Sequence, residues 1–370
     1  MTFRVEDYRY MARALTLADQ GRYTTHPNPR VGCVLVAGGQ VVGEGWHRIA
    51  GGPHAEIEAL EQAGRRARGA TVYLTLEPCS HQGRTGPCAP VLAAAGVARV
   101  VAAMEDPNPA VSGEGLRWLR EAGAEVQAGL LEDEARRLNA GFIRRMSKGV
   151  PRIIVKIAAS LDGRTAMANG ESRWITGAAA REDVQRLRAS CSAILTGIGT
   201  LLADDPSLTV RSGSIDTAGR QPLRVVADSR LRTPATARML TLPGHTLLVC
   251  APGADGSRLS AAGAELLECG APNGRVDLSK LMGALGQREC NDLLVEAGPV
   301  LCGALLSRRL VDELVVYLAP HLMGDSARGM FSLFGLEKMA DRVQLQILDT
   351  RQVGDDLRIR AGVRYEDQND

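Results

Sequence analysis

Aromatic side chains are scarce: Phe, Trp and Tyr together make up 4% of the 370 residues. That argues against a base-stacking surface of the kind that holds single-stranded nucleic acid. An excess of one charge sign is lacking too, since 44 Lys and Arg stand against 42 Asp and Glu, a formal net charge of +2. Such a chain has no global field to recruit nucleic acid or an anionic membrane. No uninterrupted apolar run approaches the roughly 18 residues that a membrane-spanning helix needs. The first residues, Met1 to Tyr8, carry charges where a signal peptide would have its apolar centre. Eight cysteines in a long unexported chain do not make a disulfide framework, so reduced thiols are expected, some of them bound to metal. The expected location is the cytoplasm.

What is present is an ordinary globular balance, 45% hydrophobic and 23% charged, rich in Ala, Val, Leu and Gly and suited to α/β layers. The length favours two domains. Tyr8, Met11, Leu15 and Ala18 recur at helical spacing, predicting an amphipathic helix from Val5 that Gly21 ends. His26-Pro27-Asn28-Pro29 forbids regular structure. Val31 to Val36 reads as a strand, turning at Gly38-Gly39 into a hairpin partner that reaches His47. A helix is predicted from His54 to Gly64, and a strand from Thr71 to Leu76 that runs into Glu77-Pro78-Cys79. A short helix follows from Cys88 to Ala95. Further strands are Arg99 to Met104 and Glu125 to Leu130; further helices are Gly115 to Ala122 and one charged helix from Leu131 to Met146. This alternation implies a partly parallel sheet with helices on its faces.

Functional groups in such sheets gather where strands end and helices begin. His54 opens one helix, and Cys79 and Cys88 flank the loop into another. Helix N-termini lower thiol pKa values and favour the thiolates that zinc needs. Three such ligands leave a fourth tetrahedral position open for water, whose pKa zinc brings toward roughly 7. Glu56, two residues beyond a ligand, is placed to carry the proton without binding metal. The alternative is a closed site with His81 as fourth ligand, which leaves Glu56 without a purpose. His-x-Glu with Pro-Cys…Cys is the known signature of zinc deaminases of nucleobases, except that eight residues rather than two separate Cys79 from Cys88.

Pro53-His54-Ala55-Glu56, the run Glu77-Pro78-Cys79-Ser80-His81-Gln82-Gly83-Arg84-Thr85-Gly86-Pro87-Cys88, and Asp106-Pro107-Asn108-Pro109 together resemble the bifunctional deaminase/reductase family of riboflavin biosynthesis. Gly86 stands where that family often has a second proline. The resemblance implies that His54, Cys79 and Cys88 hold one zinc ion per chain, that Glu56 shuttles the proton, and that Asn28, His47, His81 and Arg84 contact the substrate.

Arg144 to Pro151, with Gly149 as helix stop, reads as a linker between domains at 1–148 and 151–370. Beyond it, strands are predicted at Arg152 to Ala159, Ser192 to Thr196, Leu223 to Ala227, Thr246 to Cys250, Asp292 to Glu296 and Glu313 to Leu318. A helix spans Ala178 to Ala189, and Val343 to Val363 forms a hairpin turning at Gly354-Asp355-Asp356. The pattern is parallel α/β with a terminal antiparallel pair. Glu296-Ala297-Gly298-Pro299 passes from a strand through glycine into a helix, which offers backbone amides to a phosphate. Asp228-Ser229-Arg230 follows another strand; it suits either the 2′-phosphate of a reduced dinucleotide or a plain turn. Cys33, Cys191, Cys250, Cys290 and Cys302 read as core thiols.

Lys156-Ile157-Ala158-Ala159-Ser160-Leu161-Asp162-Gly163, Ser172 to Gly177, Leu202 to Arg211 and the Glu296 segment resemble the reductase half of the same family. The fold so implied is α/β throughout: an N-terminal cytidine-deaminase-like α/β/α domain and a C-terminal dihydrofolate-reductase-like α/β domain that uses NADPH. By that match Ala158, Trp174, Thr200, Asp204, Ser229, Gly298, Pro299, Val300, Leu301, Cys302 and Gly303 line the cofactor. Ser172, Arg188, Leu208, Arg211 and Glu296 hold a phosphoribosyl pyrimidine, with Lys156 as proton donor or orienting group. A small-molecule enzyme is thus expected, a homo-oligomer with neither nucleic acid nor membrane as partner. Two rivals stay open: a deaminase with a regulatory nucleotide-binding half, and a zinc-stabilised binding protein without catalysis.

Overall fold

The computed structural model describes residues 3–80, 86–109 and 112–365. The chain forms two compact units, residues 1–149 and 150–370.

In the first unit α1 (Val5–Gln20) precedes β1 (Gly32–Ala37) and β2 (Gln40–Trp46), and α2 (Ala55–Ala63) precedes β3 (Thr71–Leu74). Then come α3 (Cys88–Ala94), β4 (Arg99–Ala102), α4 (Glu114–Glu121), β5 (Glu125–Ala128), α5 (Glu132–Leu138) and α6 (Ala140–Lys148). The five strands form one sheet in the order β2-β1-β3-β4-β5, antiparallel across β2-β1-β3 and parallel across β3-β4-β5. Side-chain alternation gives it two apolar faces, one around Leu35, Val72, Leu74 and Val100, the other around Val34, Tyr73 and Val101.

Two sequence expectations shift. Helix α1 buries Tyr10, Met11, Ala14, Leu17 and Ala18, whereas Tyr8 is exposed. The rotation brings Asp7 inside, where its carboxylate accepts both guanidinium ends of Arg99 at 2.8 Å and the Tyr73 hydroxyl at 2.7 Å. The single helix expected from Leu131 to Met146 is two, broken at Asn139. Buried Asn139 binds the backbone of Arg30 through both amide ends, at 2.8 and 2.9 Å, and its own backbone leaves the helical region (φ −108°). A side chain committed to a distant backbone competes with helix continuation.

Close packing sets the position of α2. A Cβ at Gly43 of β2 would lie 2.1 Å from the Ala59 carbonyl oxygen, so only glycine permits this approach of helix to sheet.

The second unit runs β6 (Arg152–Ser160), β7 (Arg164–Ala166), α7 (Ala178–Ser190), β8 (Ala193–Gly197), α8 (Ile198–Asp204), β9 (Leu223–Ala227) and α9 (Arg238–Thr241). It continues through β10 (Thr246–Cys250), α10 (Ser257–Ala261), β11 (Glu265–Glu268), α11 (Leu278–Gln287), β12 (Asp292–Val295), α12 (Pro299–Ser307) and β13 (Glu313–Ala319). β14 (Arg328–Gly329) pairs with β7, and β15 (Gln344–Val353) and β16 (Asp356–Arg364) are the expected terminal hairpin. The large sheet has the order β11-β10-β9-β8-β12-β6-β13-β16-β15. It is parallel as far as β13, and antiparallel beyond. Both faces are covered, so central strands are apolar on both sides: Ile153, Val155 and Ile157 of β6 enter one core and Ile154 the other. The parallel strands place the ends of β6, β8, β9 and β12 along one edge, where the second site forms.

Candidate active sites

In the first unit, Gly51-Gly52-Pro53 ends extended chain and leaves His54 as the N-cap of α2. Cys88 is the first residue of α3, and Cys79 lies in the loop after β3. His54 Nδ1 is 3.2 Å from Cys88 Sγ and 3.6 Å from Cys79 Sγ. The three donor atoms all lie within 4.8 Å of one another. Zn–S of about 2.3 Å and Zn–N of about 2.0–2.1 Å at tetrahedral angles require N to S separations of about 3.6 Å. The donor set fits zinc. The Cys88 amide donates to Cys79 Sγ at 3.3 Å, and hydrogen bonds from Cys88 and His54 hold the Cys79 thiol below its ordinary range. His54 is pushed up by the same contact with Cys79.

Glu56, in the first turn of α2, is 3% exposed, and burial raises its pKa. It enters beside the cluster without belonging to the donor set. His47 is buried with both ring nitrogens engaged: Nδ1 donates to the Pro53 carbonyl at 2.9 Å, and Nε2 accepts from the Asn28 amide at 3.0 Å. Burial lowers its pKa, so it is neutral, and its ring stands edge-on to His54 at 5.5 Å between centroids. Asn28 and His47 are thus a connected pair at the zinc cluster. His81 and Arg84 lie outside the described residues.

Sequence reasoning assigned no role to Glu77. Its buried carboxylate accepts backbone N–H groups from Asp106 (3.0 Å), Gly113 (2.9 Å), Gly115 (2.8 Å) and Leu116 (3.3 Å). An acidic residue at a strand end, directly before Pro-Cys, was the available signal.

In the second unit Glu296 follows β12 and lies between Arg188 of α7 and Lys156 of β6. Arg188 grips it with two bonds, of 2.6 and 3.0 Å, and spends a third donor on the Thr209 carbonyl at 3.1 Å. Lys156 Nζ stands 3.6 Å from the same carboxylate. Burial alone would raise the Glu296 pKa, yet Arg188 and Lys156 hold it down to about 2. The Arg188 guanidinium is thus engaged by Glu296 and by the Thr209 carbonyl. Arg211 is exposed, its guanidinium donating to the Ser207 hydroxyl at 3.3 Å and its backbone N–H to the Gln185 side chain at 2.9 Å. Leu208 between them is buried and adopts a φ of +46°, a costly conformation for a side chain with a Cβ.

The expected cofactor residues divide. Gly298 is the N-cap of α12 with Pro299 at its first position, and its N–H donates to the Thr200 hydroxyl at 3.1 Å. Val300 is 67% exposed and Trp174 72%, the latter beneath Arg181 at 4.7 Å. Leu301 packs partly against the core. Cys302 is fully buried with its thiol toward the Ala297 carbonyl, and Gly303 abuts the Ser332 backbone, so these two face inward. Ser172 and Ala158 are half-buried, and Asp204 meets Arg173 at 3.7 Å. Ser229 accepts from the Val276 amide at 3.1 Å. Asp228 turns fully inward to the Thr233 hydroxyl and amide, both at 2.8 Å, which leaves Ser229 and the exposed Arg230 at the strand end.

Comparison with known proteins identifies both domains. Residues 4–104 match the family model of the cytidine and deoxycytidylate deaminase zinc-binding region. Residues 151–359 match the RibD C-terminal domain. Fold and sites therefore define the class: a zinc-dependent deaminase and a reductase on one chain. Within that class, the chain belongs to the RibD family. It is 53% identical to the riboflavin biosynthesis protein RibD of Escherichia coli over 362 residues, which cover 95% of this chain and 98% of the relative. It is 48% identical to RibD of Haemophilus influenzae over 368 residues, 97% and 98% of the two chains. A solved structure of Acinetobacter baumannii RibD superposes with a TM-score of 0.92 at 46% identity, covering 97% of this chain and 99% of that one. The diaminohydroxyphosphoribosylaminopyrimidine deaminase/5-amino-6-(5-phosphoribosylamino)uracil reductase of Thermotoga maritima does so with 0.86 at 30% identity, with the same coverage. The chain is a bifunctional enzyme of riboflavin biosynthesis that deaminates and reduces, with zinc and NADPH as cofactors. Among the described residues no helix is long and apolar enough to cross a membrane.

Proposed function

We propose that the first domain, residues 1–148, deaminates 2,5-diamino-6-ribosylamino-4(3H)-pyrimidinone 5′-phosphate. The second, residues 151–370, then reduces the ribosyl group of 5-amino-6-(5-phosphoribosylamino)uracil to ribityl. The observation that carries the reading is the buried Glu56 beside the His54, Cys79 and Cys88 donor set. His54, Cys79 and Cys88 are the zinc ligands. Zinc supplies activation of water at neutral pH. Glu56, its pKa raised by burial, would carry a proton between a water so activated and the departing amino nitrogen. His47, neutral and held by Pro53, fixes the Asn28 amide against the pyrimidine; His81 and Arg84 are further substrate contacts by family resemblance.

In the second domain NADPH supplies hydride, and the protein supplies orientation. The amide end of α12 from Gly298 to Leu301, with Thr200, Asp204, Trp174, Ser229 and Ala158, receives the cofactor. Exposed Arg211 takes the substrate phosphate. Arg188 acts through Glu296, which it holds ionised toward the ribosyl group, with Ser172 and Leu208 as walls and Lys156 as orienting group. The enzyme is a cytoplasmic homo-oligomer, dimer or tetramer. The edge strand β15 supports that association, since Leu345, Ile347 and Leu348 are 46%, 60% and 52% exposed on an unpaired sheet edge.

One assay of purified protein tests the function: ammonia release from the diamino substrate, and loss of NADPH absorbance when the deaminated product is supplied. Absence of either activity refutes the corresponding half.

A further inference from the structure

Glu77 is a buried carboxylate that the chemistry above does not use. It is 3% exposed, has no cationic partner among the ion pairs of the described residues, and accepts only main-chain N–H groups. Those four donors come from two places far along the chain. Asp106 and Gly113 bracket the loop after β4 and reach Oε2, while Gly115 and Leu116, in the first turn of α4, reach Oε1. The other end of the residue is tied down as well, because the Glu77 amide donates to the Met104 carbonyl at 3.0 Å.

Cys79 is two residues further on, across Pro78, whose ring fixes one backbone angle of the connection. The Cys79 carbonyl accepts the Ala89 amide at 3.1 Å, and its sulfur accepts the Cys88 amide at 3.3 Å. Its α3 side is therefore anchored by α3 itself. Its β3 side is anchored by Glu77. Helix α4 is pressed onto the same segment: a Cβ at Gly115 would lie 1.9 Å from the Pro78 carbonyl oxygen.

We infer that Glu77 is a positioning residue for the metal site, clamping the β3 exit to the first turn of α4 and to the backbone at Asp106 and Gly113 so that the Cys79 sulfur is held at its ligand position. The inference rests on the assignment of Cys79 as a zinc ligand. A carboxylate suits the task because it is acceptor-only, with lone pairs for four donors. An amide of the same shape presents an N–H to at least one of them.

The test uses Glu77→Gln in the full chain. Groups that orient metal ligands typically contribute on the order of 10–100-fold in metal affinity or activity. Zinc transfer to a chromogenic chelator should accelerate, and the deaminase kcat should fall, each on the order of 10–100-fold. KM should change much less, and NADPH oxidation by the second unit should not change. Gly115→Ala keeps the carboxylate but displaces α4 from Pro78, and should also speed zinc transfer. Hydrogen exchange on the unmodified protein needs no variant at all: removing zinc should deprotect the amides of Asp106, Gly113, Gly115 and Leu116. Unchanged zinc transfer and kcat in folded Glu77→Gln, even with a lowered melting temperature, would overturn the inference and leave Glu77 a helix cap only. Unchanged amide protection after zinc removal would overturn it equally. An unmodified protein that holds no zinc would instead refute the ligand assignment beneath it.

Discussion

The two active sites are built on opposite plans. In the first unit three donor atoms within 4.8 Å converge from two helix starts and one loop, with a buried glutamate beside them. Among the described residues the second unit concentrates no such set; there Arg188 clamps Glu296, Arg211 is exposed, and Gly298 caps the start of α12. A metal site selects a few residue types at fixed distances, because zinc tolerates few ligands and one geometry. A dinucleotide site uses backbone amides and shape, which almost any sequence can present.

The contrast can be broken most sharply at Glu56. Glu56→Gln should lower ammonia release on the order of 10²–10⁴-fold, while zinc content by metal analysis and NADPH oxidation stay unchanged. Retained ammonia release would remove the proton carrier from the account.

Next come two buried ion pairs, one chosen from each unit. Arg188→Met leaves the Glu296 carboxylate buried without its main partner. It should destabilise the second unit by about 3–5 kcal/mol, read as a lower denaturation midpoint, with reduction impaired and deamination spared. Asp7→Asn should cost the first unit a similar amount, about 3–5 kcal/mol, by stranding Arg99. The Asp7 pKa lies below its ordinary value of 3.8 because Arg99 and Tyr73 bind the ionised form. Its stabilisation is therefore complete above a pH of about 4 and is lost as pH falls toward the depressed native value. A melting-temperature series from neutral to acid pH should show that acid-side decline in the unmodified unit. The decline should be weaker in Asp7→Asn.

The smallest effect is expected at exposed Arg211. Arg211→Ala should leave stability within about 0.5 kcal/mol but raise the reductase KM about 10–100-fold, as loss of a charged hydrogen-bonding partner does. If Arg188 rather than Arg211 held the phosphate, the KM would not move.

The legibility of the sequence follows the same division. Strands β9 and β10 lie where apolar runs put them, because both faces of the sheet are buried there, and the largely exposed β15 joins β16 in the hairpin that alternation and the Gly354 turn predict. His54, Cys79 and Cys88 were readable because helix starts and a Pro-Cys step announce them. The break at Asn139 was not, since it depends on Arg30, 109 residues away. Nor was the commitment of Arg188 to Glu296, or of Glu77 to four amides, because partners brought together by folding leave no local pattern. Ser172 and Thr200 were singled out only through family resemblance.

The central claim is that two independent chemistries share one chain, only one of them needing metal. The most direct measurement strips zinc with a chelator, follows ammonia release and NADPH oxidation on the same sample, and then restores zinc. The account predicts that ammonia release disappears and returns with zinc while NADPH oxidation continues throughout. Loss of both activities on stripping, or of neither, would contradict it.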